Sequence, residues 1–268
     1  MAMPNDVVIG RHMESEANFA FRQAEEGNSE FYKRLGNRPD ALHRGTRRGV
    51  EPIKLTSTWI KEHILQGGSF DAHFTSDFVR ARETAALLDL PQARWELSSF
   101  LCERDWGDLV REPPTAERLR FYKETFERQA NDPLHWRPEG GHTLAEGAQR
   151  IYLFIIERLR SYAGKRVYIS SHGDIAWVFR YVFEWLTPEQ LRALYFCAGN
   201  KINNGTLLHY TRRNPHKEGE IAEHLGWMRM VTPWISKEPT EWREIGRKLW
   251  TNEELLASVE DTPRLLDV

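Results

Sequence analysis

Two histidines in this sequence each follow a short apolar run. Val7-Val8-Ile9 leads into Gly10-Arg11-His12-Met13-Glu14-Ser15, and Val167-Tyr168-Ile169 leads into Ser170-Ser171-His172-Gly173-Asp174, with helical sequence after each. A third unit, Thr75-Ser76-Asp77-Phe78-Val79-Arg80, carries an arginine into the first turn of its helix. Placed at the carboxyl ends of parallel strands, these units bring two histidines and two arginines to one edge. Open α/β sheets bind ligands at that edge, and helix N-termini there favour phosphate. Arginine offers paired, permanently charged donors to phosphate oxygens. Phosphoryl transfer demands mostly positioning and charge stabilisation, and a histidine nucleophile splits one hard displacement into two easier ones. Taken singly, an Arg-His pair is ordinary surface, His172 a turn residue and Arg80 a solvated helix position. Their repetition at three strand ends carries the argument.

The elements that must position these residues are legible from periodicity. Strands are predicted at Val7–Ile9, Phe70–Thr75, Val167–Ser170 and Leu207–Thr211. Helices are predicted after Ser15, over Ile53–Gln66 (stopped by Gly67-Gly68), over Asp77–Leu88 and from near Ile175. The helix over Leu144–Tyr162 places Ala148, Ile151, Tyr152, Ile155, Leu159 and Tyr162 on one face, with Thr143 and Glu146 as a capping box. Thr187-Pro188-Glu189-Gln190 opens another. Strands alternating with helices imply an α/β fold, a mostly parallel central sheet with helices on both faces. A main domain over residues 1–214 is expected, followed by a polar, tryptophan-bearing extension over 215–268 that either packs on it or stands apart.

Of 268 residues, 40% are apolar, enough for a sizeable core. Thirty-seven basic residues against thirty-nine acidic ones give a net charge of −2, which argues against nucleic acid or an anionic membrane as partner. Cys102 and Cys197 are read as free thiols in a reducing compartment. With no leader or spanning segment in the sequence, a cytoplasmic protein is expected. No cluster of metal ligands is evident, and neither metal nor cofactor is expected.

Several blocks resemble the histidine phosphatase superfamily, which includes the cofactor-dependent phosphoglycerate mutases. Arg11-His12-Met13-Glu14-Ser15-Glu16-Ala17-Asn18 resembles its Arg-His-Gly-x-Ser-x-x-Asn signature. Ser76 to Ala85 resembles Ser-x-x-x-Arg-Ala-x-x-Thr-Ala, and Leu101 to Gly107 its acid-bearing block. Gly141-His142-Thr143 lies where Gly-Glu-Ser is usual, and Ser171-His172-Gly173 matches the last block. All occur in family order, over roughly residues 6 to 211. The resemblance implies the three-layer α/β/α sandwich of the mutases. It implies His12 as the nucleophile that becomes phosphorylated. Arg11, Arg80 and His172 then bind phosphoryl oxygens, Glu103 protonates the leaving oxygen, and Ser15 and Asn18 lie near the phosphate.

Three departures stand out. Met13 replaces a glycine beside the nucleophile, where it is expected to narrow or reshape the pocket. His142 replaces a glutamate, and the long polar stretch from Phe21 to Gly45 exceeds the expected connection. The mutases carry paired arginines downstream of the acid. Here Asp108–Arg120 holds Arg111, Arg118 and Arg120 unpaired and is interrupted by two prolines. A phosphatase acting on a small phosphate ester is therefore expected ahead of a mutase. A phosphate-binding or scaffold protein without turnover is the third reading.

Overall fold

The computed structural model describes residues 3–111, 124–125 and 127–266. Seven strands form one sheet in the order β3-β2-β4-β1-β5-β6-β7. They are β1 (Asp6–Arg11), β2 (Ala72–Thr75), β3 (Trp95–Leu97), β4 (Arg166–Ser171), β5 (Leu207–Thr211), β6 (Trp227–Val231) and β7 (Arg243–Glu244). The four strands β3, β2, β4 and β1 run parallel, while β5, β6 and β7 are added antiparallel beyond β1. The expected fold is the one observed: a sheet parallel at its heart, between two helical layers.

The helices used below are α1 (Glu16–Glu25), α2 (Glu30–Leu35), α3 (Val50–Ile60), α4 (Val79–Leu87), α5 (Leu144–Glu157), α6 (Gly173–Phe183), α7 (Pro188–Tyr195) and α8 (Asn252–Ala257). Side chains alternate across a strand, so the sheet feeds two cores. Val7, Ile9, Phe74, Val167 and Ile169 pack with Ile151 and Phe154 of α5 and Ile175 and Phe179 of α6. Val8, Tyr168 and Leu207 pack on the other face with Ile53, Trp59 and Ile60 of α3 and with Leu88. Fully burying one such side chain stabilises by about 1.5–3 kcal/mol. Gly10 lets the sheet close above Tyr168, because a Cβ there would meet the phenol oxygen at 2.1 Å.

Thr143 and Glu146 form the predicted capping box of α5, and Thr187 and Gln190 that of α7. The apolar face predicted for Leu144–Tyr162 needs correction. Tyr152 is 54% exposed, and Leu144, Gly147, Ile151, Phe154 and Ile155 form the buried stripe. Gly147, which carries no hydropathy signal, is the close contact with Val178 of α6. The stripe therefore runs through Gly147 and Phe154, and Tyr152 falls outside it.

Residues 21–45 are not one loop: α1 runs on to Glu25, α2 follows, and a 3-10 turn covers Asp40–Leu42. Beyond residue 215, β6 pairs along the length of β5, and Ile245 is buried in the core beside α6. Cys102 and Cys197 are unpaired. Among the described residues no helix is long and apolar enough to cross a membrane.

Candidate active site

Parallel pairing brings three strand ends to one edge. Arg11 lies opposite Ser171, and Thr75 opposite Ser170. His12, Ser76 and His172 follow these ends directly. The His12 backbone is fixed from both sides: its N–H donates to Ser171 O at 2.9 Å, and its carbonyl accepts from Asn204 Nδ2 at 3.0 Å. Met13 N–H donates to Thr84 Oγ1 at 2.9 Å, tying the next peptide to α4.

His12 is 2% exposed and His172 is fully buried, with ring centroids 5.0 Å apart. Arg80 Nε donates to His12 Nε2 at 3.2 Å, which requires a lone pair on that nitrogen. The proton is then on Nδ1, which faces the Met13 carbonyl. Burial, with the Arg80 and Arg11 charges beside it, holds the His12 imidazole well below its ordinary pKa and keeps it neutral. Burial acts the same way on His172, helped by Arg80, His12 and Arg11. Ser76 Oγ accepts from Phe78 N–H at 3.2 Å and lies 2.8 Å from His172 Nε2. With the Ser76 hydroxyl as donor to Nε2, the His172 proton is on Nδ1. That Nδ1 is buried without a partner, as is Arg11 Nε. Buried polar groups cost free energy when left unmatched, so each of these nitrogens has capacity for a partner at this edge.

Glu103 lies on the loop leading to a short helix at Asp108–Arg111. Its Oε2 accepts from Gly173 N–H at 3.1 Å, at the N-terminus of α6, and its Oε1 from Arg104 N–H at 3.0 Å. Burial and the negative charge of Asp174 nevertheless raise its pKa to about 7. Asp174 is held by Arg104 Nε and Tyr195 Oη, each at 2.8 Å.

The expected site residues fall into two groups. His12, His172, Arg80, Arg11 and Glu103 are joined at this edge by the contacts and charges above. Ser15 and Asn18 build the capping box of α1: Ser15 Oγ accepts from Asn18 N–H, and Asn18 Oδ1 accepts from Ser15 N–H and Asn204 Nδ2. Met13, expected to narrow the pocket, is buried in the core against Gly45 and Gly49, the end of the polar stretch and the turn after it. Both glycines spare it the room. Arg118 and Arg120 lie outside the described residues.

Sequence reasoning missed Asp40, Ser76, Asn204 and Asp174. Asp40 has the largest effect on the site. Arg80 Nη2 donates to its Oδ2 at 2.9 Å, and Nη1 to its Oδ1 at 3.1 Å and its carbonyl at 2.6 Å. Burial would raise this carboxyl, but His43 and Arg80 outweigh it and hold the group well below the usual carboxylate range. An acid in a polar insertion, forty positions from its partner, leaves no sequence signal. Ser76 and Asp174 stood inside the quoted motifs and could have been read there. Among the described residues no group of three His, Cys, Asp or Glu side chains is placed to hold a metal ion.

This is a three-layer α/β/α protein with a buried histidine–arginine cluster at the carboxyl edge of its parallel strands. The chain belongs to the histidine phosphatase superfamily (branch 1), whose family model matches residues 54–243. The match begins after the His12 block. A 2,3-bisphosphoglycerate-dependent phosphoglycerate mutase of Methylorubrum populi is 29% identical over 167 residues, covering 58% of this chain and 74% of that protein. Among solved structures, a putative alpha-ribazole-5'-P phosphatase of Escherichia coli superposes with a TM-score of 0.57 at 20% identity. It covers 91% of this chain and 100% of its own. A mycobacterial glucosyl-3-phosphoglycerate phosphatase gives 0.57 at 14% identity, covering 84% and 96%. At these identities the structural likeness speaks for the fold.

Proposed function

We propose that this chain is a metal-independent phosphatase that hydrolyses a phosphate monoester through a covalent phosphohistidine on His12. The observation that carries the proposal is the opposed protonation of two buried groups. His12 is held neutral, with its Nε2 lone pair exposed to the arginine side, while Glu103 keeps a proton to about pH 7.

In the first step His12 Nε2 attacks phosphorus, a P–N bond forms, and the ester P–O bond breaks. Glu103 gives its proton to the departing oxygen, help typically worth ~10²–10⁴ in rate. In the second step water attacks the phosphohistidine and gives a proton to the Glu103 carboxylate. The P–N bond breaks, releasing inorganic phosphate and restoring both groups. Arg80, Arg11 Nε and His172 Nδ1 donate to the non-bridging oxygens, where charge accumulates. Ser15 and Asn18 serve the site by fixing the start of α1. The incoming phosphoryl group displaces the Asp40 carboxylate from the Arg80 fork.

The mutase reading draws on the names of the curated relatives. A phosphatase is favoured because the expected paired-arginine block is missing from the sequence after Glu103. The test is p-nitrophenyl phosphate hydrolysis with EDTA present, comparing the wild type with His12→Ala. Turnover lost in the variant supports the proposal. A wild type that releases no phosphate but interconverts phosphoglycerates would replace it with the mutase.

A further inference from the structure

The carboxyl end of β1, which delivers His12, is bordered by the start of β5: Gly10 lies opposite Leu207, and Leu207 opposite Val231 of β6. That antiparallel register brings two non-strand segments together beside the nucleophile, residues 202–206 before β5 and residues 232–236 after β6. The first grips the chain around His12. Arg11 N–H donates to Thr206 O at 2.9 Å, Gly205 N–H donates to Arg11 O at 3.1 Å, and Arg11 Nη1 donates to Ile202 O. Asn204 Nδ2 reaches the His12 carbonyl at 3.0 Å, the Met13 carbonyl at 3.1 Å and Asn18 Oδ1 at 3.2 Å. Three acceptors on one side require the Asn204 amide to present its NH₂ there.

The second segment braces the first. Thr232 O accepts from the N–H groups of Ile235 at 2.8 Å and Ser236 at 3.0 Å, closing a turn in which Pro233 supplies the pre-set φ. The turn lays Trp234 along Gly205: the indole Nε1 donates to Asn204 O at 2.8 Å, and a Cβ at Gly205 would touch Trp234 Cδ1 at 3.4 Å. The hydroxyls of Thr206 and Thr232 bond to each other at 2.7 Å.

The Met13 carbonyl is where this bracing reaches the chemistry. It accepts from His12 Nδ1 as well as from Asn204. A proton held on Nδ1 leaves the lone pair on Nε2, because the partner of one ring nitrogen decides the state of the other. At rest Arg80 selects the same tautomer by donating to Nε2. During transfer that bond is given up, as Nε2 turns its lone pair to phosphorus and Arg80 turns to the phosphoryl oxygens. The Met13 carbonyl then holds the Nδ1 proton while the ring gains positive charge.

We infer that Asn204 is a positioning residue for phosphoryl transfer to His12, fixing the Met13 carbonyl that holds the Nδ1 proton, and that Trp234 keeps Asn204 in place. The inference rests on the phosphohistidine reading and gives the chain beyond residue 215 a part in it.

The test compares the wild type with Asn204→Ala and Trp234→Phe. The second variant keeps a ring against Gly205 and loses the indole donor, at a side chain that is 41% exposed. Rapid quenching with p-nitrophenyl phosphate reads the rate of His12 phosphorylation, and inhibition by inorganic phosphate reads binding. Nitrogen-15 NMR of labelled histidine at saturating phosphate reads the tautomer. Asn204→Ala should phosphorylate about tenfold to a hundredfold more slowly, with phosphate inhibition within about twofold of the wild type. Part of its His12 signal should move to the form protonated on Nε2, and Trp234→Phe should change in the same direction by a smaller factor. A slowing of Asn204→Ala under about threefold overturns the inference. So does an equal loss of phosphorylation and phosphate binding, or slow phosphorylation with the wild-type tautomer, since either makes Asn204 merely structural. Should Asn204→Ala fail to fold, the rate and spectrum of Trp234→Phe decide. If the wild type forms no phosphohistidine, the phosphatase reading falls, while the spectra still decide whether Asn204 sets the His12 tautomer.

Discussion

A neutral imidazole beside two guanidinium groups is cheap to maintain, because burial and like charge act in the same direction on it. A protonated carboxyl a few residues from two arginines is harder, and here desolvation and Asp174 outweigh those arginines for Glu103. The pH profile reports this directly. Glu103 donates only below its pKa, so kcat/KM for an ester with a poor leaving group should fall about tenfold per pH unit above roughly pH 7. Glu103→Gln should abolish that limb and spare p-nitrophenyl phosphate most. A rate flat from pH 6 to 9 would remove Glu103 from the acid role. At this scale the sequence was informative. Strand-end spacing pointed to His12, His172 and Arg80, whereas only the family resemblance pointed to Glu103. Asp40 was illegible, because its effect depends on a fold-back of the insertion.

That insertion acts as an element. Its last glycine, Gly45, has no space for a Cβ against Met13, and a Cβ there would sit 2.3 Å from the sulfur. Glu14, Arg22 and Thr46 are bonded together across it, and Arg44 pairs with Glu83 of α4. So braced, the segment presents the Asp40 carboxylate to the Arg80 fork, the place proposed for the phosphoryl group. Asp40→Asn removes the charge and keeps the size. Inorganic phosphate should then inhibit at severalfold lower concentration, with the largest change at low ionic strength. Unchanged or weaker inhibition would mean that Asp40 helps to hold Arg80 in place instead of competing for it. Periodicity alone marked this stretch only as polar; α2 and the 3-10 turn are too short and too exposed to announce themselves.

Across the whole molecule, buried ionic contacts tie the late segments to the sheet. Glu184, 3% exposed, accepts from Arg180 Nε and Tyr210 Oη at 2.9 Å each, and from Arg243 of β7. Desolvation would raise this carboxyl, but Arg180 and Arg243 hold it below its ordinary value. Its contribution is therefore present above the unfolded carboxylate pKa and lost as pH falls below that value through the lower folded one. Glu184→Ala leaves Arg180 buried and uncompensated and should cost about 3–5 kcal/mol in urea unfolding at neutral pH. A loss under 1 kcal/mol would make the cluster dispensable. Three of the four parallel strands, and β5, were legible because buried strands and amphipathic helices alternate there; the edge strand β3 was not, being three residues long and largely exposed. Strands β6 and β7 were not, because their partners are set by tertiary pairing and the surrounding sequence is polar.

The central claim is a phosphoryl group bonded to His12 during turnover. The most direct measurement is intact-protein and peptide mass spectrometry after rapid mixing with p-nitrophenyl phosphate and quenching at alkaline pH, where phosphohistidine survives. The account predicts a phosphate adduct on the peptide containing His12, absent from His12→Ala and chased away by delay before quenching. Full turnover with the adduct on another residue, or with none at any mixing time, would contradict it.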